Sequence, residues 1–275
     1  NSYTIEVLDS DSYVLGATLI IPNYVTIKAS NNDIYGKIVL GDGSKVWLKN
    51  HYPKTNQDTP LVSKNSIYTT SYYKADVLDT RGSGGTLNIV SGIISSGSTG
   101  QMFIDVKKIY ATTFGIGAQG GTLNGHIHLN VEDLYISQNG GIGIRTEGAS
   151  TTSIVGYVHH IIESGPFLNC TAFELAGGRI SVISTQIICD TLGYIVSPSS
   201  KLDLVCPYIQ VTTNFSTDLG NESYIDFLSK NIISSTSHSR FISGLTVSHL
   251  NAITLSGGTI FSGDVDVSTY FNSTN

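Results

Sequence analysis

One short pattern recurs seven times along the chain, and it restricts the fold more than any other feature. Three residues at alternate positions, mostly apolar, are followed by two corner residues and then a single anchor. In "MFIDVKKI" the alternating residues are Met102, Ile104 and Val106, the corner is Lys107–Lys108, and the anchor is Ile109. Ile127, Leu129 and Val131 lead in the same way through Glu132–Asp133 to Leu134. Later copies place anchors at Ile161, Ile187, Ile209, Ile232 and, in the loosest copy, Ala252. Successive anchors are 25, 27, 26, 22, 23 and 20 residues apart, a mean of about 24, within the repeat range of stacked solenoids. Helical periodicity is nearly absent, whereas alternation bounded by Gly, Ser and Asn is everywhere.

A repeat of two or three short strands with polar corners cannot bury its apolar face alone. Stacking copies about 4.8 Å apart joins those faces into a continuous column. The expected fold is therefore all-β, a right-handed parallel β-helix of about 24 residues per coil. The expected parts are N-terminal capping coils at 1–43, an inserted aromatic and basic loop region at 44–81, the β-helix proper at 82–254, and a short β module at 255–275.

The register assigns every strand residue a face. His126, His128 and Asn130 point outward beside the inward Ile127, Leu129 and Val131. At the corners, stacking puts Lys107 beside Glu132 and His159, and Lys108 beside Asp133 and His160, a charge-compensated ladder. His126 and His128 are the candidate metal pair, with a plain solvated face as the other reading. The outward column four positions before the anchor reads Asp105, Asn130, Tyr157, Ile183, Val205, Leu228, Ser248. Its apolar middle (Tyr157, Ile183, Val205 and Leu228) is expected to be an interface between chains, most simply a homotrimer.

Residues 44–81 hold five of the eleven lysines, the only Trp and several tyrosines. Trp47, Tyr52, Tyr72, Tyr73 and Lys74 are expected to bind an acidic surface saccharide, by ring stacking and charge pairing. The alternative is that these aromatics cap the solenoid or pack on its flank. For catalysis on a glycan, Asp203 and Asp226 are the candidate pair. Both lie six before an anchor, so they stack on adjacent coils at a spacing suited to a retaining glycosidase, and their proximity is expected to raise one pKa. Glu163 and Asp190 lie on a nearby corner, and Arg145 and Glu174 on the second strand, without forming a known motif.

Composition narrows the partners. A net charge of −6 leaves no patch to neutralise phosphates, so a nucleic-acid partner is not expected. No apolar run approaches the length of a membrane-spanning helix, so no membrane partner is expected either. Three cysteines, Cys170, Cys189 and Cys206, without CxxC spacing indicate neither a disulfide framework nor a zinc site. No phosphate loop or other cofactor motif occurs, and no cofactor is expected. The chain opens at Asn1 without a leader pattern, which predicts a processed product or a fragment.

Two stretches carry a family resemblance. "TLIIPNYVTI", within residues 3–42, resembles the first coils of the pectate-lyase-like parallel β-helices common in phage tailspikes and polysaccharide-degrading enzymes. "LSGGTIFSGDVDVS", residues 255–268, is similar to a short module of phage tail fibres, although Phe261–Ser262 adds a residue to the usual pattern. The resemblance implies a virion tail fibre or tailspike protein that binds a host cell-surface polysaccharide and assembles with other virion proteins. The alternatives are a tailspike depolymerase and a bacterial surface or secreted β-solenoid adhesin.

Overall fold

The structure is a computed structural model. It describes residues 2–53, 61–63, 69–79, 93–96, 100–111, 114–120, 126–137, 139–148, 152–165, 169–195, 200–206, 208–217, 224–228, 231–234, 238–241, 245–248, 252–255 and 258–261. These residues are all-β, with no helix among them, and 23 strands join in one sheet while two form a separate pair. No helix among them is long and apolar enough to cross a membrane.

Every strand pairs in parallel with a strand one repeat away, an arrangement compatible with a β-solenoid. Gln101–Ala111 lies between Thr70–Asp79 and His126–Ile136, and His126–Ile136 in turn pairs with Ser153–Glu163. The long strands bend at their corners: the ladder between Gln101–Ala111 and His126–Ile136 has no rung at Lys107 and Glu132. Two repeats later the bend has become a break, because Ser153–Glu163 faces two strands, Arg179–Ile183 and Gln186–Ile195. A further strand completes each repeat, as Phe114–Gly120 stacks on Ile142–Gly148 and that on Thr171–Ala176.

Alternation determines which side chains fill the interior. Met102, Ile104, Val106, Ile127, Val131, Ile154, Val158, Ile180, Val182, Leu202 and Leu204 are all buried, and the anchors Ile109, Leu134, Ile161, Ile187 and Ile209 stack below them. Gly156 takes an inward place opposite Leu129 at φ +140°, where a Cβ would lie 2.2 Å from the Leu129 carbonyl oxygen. Only glycine fits there.

Two expectations need correction. Residues 44–81 are not one projecting loop: Lys45–Tyr52, Leu61–Ser63 and Thr70–Asp79 are strands of the stack, whereas 54–60, 64–68 and 80–81 lie outside the described residues. The cause is an inward row, Val46 and Leu48, then Tyr73 and Ala75, that continues the apolar column. The anchor column also extends back through Ile34 and His51 to Leu78. In the last copy the anchor is Ile253 rather than Ala252, since Ile232 pairs with Ile253 and Asn231 with Ala252. Of the module at 255–275, Gly258–Phe261 pairs with His238–Phe241, and 262–275 lie outside the described residues.

Candidate functional site

The first strands of successive repeats pair side by side, and their outward side chains stand in columns set by the parallel register. One column runs Lys45, Tyr72, Phe103, His128, Val155, Ser181, Asp203, Asp226. The next runs Lys28, Trp47, Lys74, Asp105, Asn130, Tyr157, Ile183, Val205, Leu228, Ser248. From Asp105 onward the second column is the one the repeat spacing predicts.

The aromatics of the first column use their faces on one another. Tyr72 stacks on Phe103 with centroids 5.2 Å apart, Phe103 on His128 at 4.4 Å, and the Lys45 ammonium covers the far side of Tyr72 at 5.0 Å. A sugar needs an open ring face, and this ladder presents edges. Trp47 is half-buried with the Lys28 ammonium 5.1 Å from its ring centroid. Tyr52 belongs to another face, where it stacks on Tyr35 at 4.8 Å. Tyr73 is 1% exposed and points into the core, which removes it from any glycan contact. The expected saccharide site at Trp47, Tyr52, Tyr72, Tyr73 and Lys74 is thus not one surface; Lys74 alone points to the groove described next.

That groove was not singled out in the sequence. Asp105, Lys107, Asn130, Glu132 and Tyr157, with Val106 and Val131 beneath, line a cleft of about 250 Å³. The Asp105 carboxylate is held from both sides, by an ion pair of 2.6 Å to Lys74 and by the Asn130 amide donating at 2.9 Å. The Tyr157 hydroxyl bonds the His159 ring, which fixes the aromatic wall. Carboxylates, an amide, an ammonium and a tyrosine converge here on one open surface, a donor and acceptor set that suits a polyhydroxylated ligand. The signal was present as four polar residues on alternate outward positions of neighbouring copies, but only stacking brings them together.

Beyond the groove the column turns apolar and stays in the open. Tyr157 is 36% exposed, Ile183 55% and Val205 41%. Leu228 continues the column by backbone register, and its side chain lies outside the described residues.

The register also places Asp203 opposite Asp226 as expected, with the Asp226 side chain outside the described residues. One carboxyl of the pair is expected to have a raised pKa, and Asp203 is not that one. Its Oδ2 accepts from Arg179 Nε at 2.6 Å and Ser181 Oγ at 2.8 Å, and its Oδ1 meets Lys201 Nζ at 2.8 Å. Burial pushes its pKa up, but the bonds from Lys201, Ser181 and Arg179 outweigh burial and hold it below the usual carboxylate range. A carboxylate so neutralised is neither a proton donor near neutral pH nor a free nucleophile.

His126 and His128 go separate ways. His126 Nδ1 meets the Ser153 hydroxyl at 2.6 Å, and the His128 ring lies in the aromatic ladder. Burial and then the neighbouring His126 lower the His128 pKa. The corner ladder forms in part: His160 Nδ1 lies 2.7 Å from the Asp133 carboxylate, but Lys107 turns back to Asp76 at 2.7 Å instead of forward to Glu132. Arg145 and Glu174 pair across the second strands at 2.9 Å.

No family model matches the sequence, and no curated protein or solved structure matches it.

Proposed function

We propose that this protein is a right-handed parallel β-helix of the tail-fibre or tailspike type, a trimeric structural and receptor-binding component of a virion. The handedness follows from the strong preference of parallel crossovers for a right-handed path. One observation carries the reading: an unbroken outward stripe of Tyr157, Ile183 and Val205 on three stacked strands, whose inward neighbours Val158, Val182, Ser184, Leu204 and Cys206 are already buried. A stripe of this kind suits side-by-side association of identical chains, in which the same column meets its copies about an axis parallel to the stack.

The polar groove around Asp105, Asn130 and Tyr157 lies at the edge of that stripe, and we assign it to a host surface polysaccharide. Its hydrogen-bonding groups favour a polyhydroxylated glycan, the adjacent Lys74 and Lys107 being already neutralised by Asp105 and Asp76. The locked state of Asp203 favours binding over cleavage at the paired-aspartate column.

Light scattering coupled to size exclusion, at two concentrations, tests the assembly. A stable mass near three chains is the expected result, and a monomer at both concentrations would remove the interface from the reading. Glycan arrays probed with the wild type and with Asn130→Ala then test the groove. Binding that Asn130→Ala leaves untouched would place the ligand elsewhere.

A further inference from the structure

We propose that Glu163, Cys170 and Asp190 bind a borderline-soft divalent cation, of the Zn²⁺ class, at a corner where three segments of the chain converge. Their candidate ligand atoms, one carboxylate oxygen from each acid and the Cys170 sulfur, all lie within 4.8 Å of one another. Glu163 ends the strand Ser153–Glu163, Cys170 precedes Thr171–Ala176, and Asp190 comes from the following repeat in Gln186–Ile195.

The position of Glu163 is the second observation. It stacks directly on Ile136, which stacks on Ala111, so it occupies a column that is fully buried and apolar in the two preceding repeats. A carboxylate there is costly without a compensating charge. It meets a second carboxylate, since Asp190 is only 4% exposed, and a thiol that is wholly buried. A cation bound between the two carboxylates would supply a compensating charge at this corner.

The surroundings are those of a preformed ligand set. The Cys170 backbone N–H donates to Asp190 Oδ2 at 3.1 Å, which orients one carboxylate as outer-shell partners do at metal sites. The ladder between Gln186–Ile195 and Tyr208–Thr217 slips between Cys189 and Thr191, and Asp190 lies at that irregularity. Glu163 is half-buried, leaving an approach from solvent. Donor chemistry selects the ion: Ca²⁺ and Mg²⁺ take oxygen ligands, whereas one thiolate with two carboxylates suits Zn²⁺.

Cd²⁺ titration of the chelator-treated, reduced protein tests the site, read by thiolate charge-transfer absorption and by calorimetry. One Cd²⁺ per chain with a thiolate band is expected. Cys170→Ser should abolish the band, while Cys206→Ser should keep it. If Cys170→Ser fails to fold by circular dichroism, Glu163→Gln serves instead, with an affinity loss of at least about tenfold. A folded wild type without the band, a band that survives Cys170→Ser, or unchanged affinity in Glu163→Gln would overturn the assignment.

Discussion

His51 and Tyr73 meet inside the apolar column, with His51 Nδ1 2.8 Å from the Tyr73 hydroxyl. His51 Nε2 lies 2.8 Å from the Gly36 carbonyl oxygen, which can only accept, so Nε2 carries the proton and Nδ1 accepts from Tyr73. The imidazole is thus neutral and fully used, in a column otherwise filled by Ile34, Leu78 and Ile109. Burial lowers its pKa to about 4, against a partly offsetting bond to Gly36.

The first prediction follows from that shift. Between pH 6.5 and about 4 the unfolded chain binds a proton at His51 that the folded chain refuses, so this contribution to stability is complete above 6.5 and is lost as pH falls. The full loss is on the order of 3 kcal/mol. Glu163 acts in the opposite sense: raised to about 7, it takes up its proton first in the folded state, so its contribution is lost as pH rises through 7. The His51 slope should therefore be clearest in Glu163→Gln, as a urea midpoint that falls from pH 7 to pH 4.5 in the presence of chelator. A flat midpoint in that variant would mean that His51 is not buried neutral.

Gly156 and Gly140 make a matched pair for the backbone. Both have positive φ, +140° and +73°, but a Cβ at Gly156 would strike the Leu129 backbone, whereas at Gly140 nothing lies within 4 Å. Gly156→Ala should cost more than about 3 kcal/mol, through strain and steric conflict together. Gly140→Ala should cost about 1 kcal/mol, the backbone term alone. Equal costs in denaturant melts would contradict the inward register at Leu129.

Adjacent residues on the strand Lys201–Val205 separate folding from assembly. Leu204 is 2% exposed and Val205 is 41% exposed. Leu204→Asp puts an unpaired charge in the core and should unfold the chain. Val205→Asp should keep the circular dichroism spectrum and reduce the solution mass to that of one chain. The reverse ranking would exchange the two faces.

How much of this could be read from residues alone depends on whether a position's neighbours lie along the strand or across the stack. Alternation is local, so the rows from Met102 to Val247 and the column from Asp105 to Ser248 were legible. The strands within 44–81 were not, because their interior positions include Tyr73 and His51, residues that resemble surface chemistry until their mutual hydrogen bond is seen. The ring face of Tyr72 looked available because nothing in its own strand covers it; the cover comes from Phe103 in the next repeat. The Glu163, Cys170 and Asp190 group has no short spacing to reveal it, since its members meet only after the chain has gone round once more.

The aromatic ladder gives the last prediction. Phe103 is held between Tyr72 at 5.2 Å and His128 at 4.4 Å, with interplanar angles of 15° and 9°. Each stacked pair is worth about 0.5–1.5 kcal/mol beyond the area it buries. Phe103→Ala removes both pairs and should cost about 2 kcal/mol in a denaturant melt. The same change opens one face of the His128 ring to water. Because burial is the main cause of the lowered His128 pKa, ahead of the charge of His126, that pKa should rise towards 6.5 in the variant. Titration of the His128 ring protons by NMR reads this directly. An unchanged His128 titration, with stability also unchanged, would mean that the three rings do not stack in solution, and would return the faces of Tyr72 and Phe103 to the surface as candidate sugar platforms.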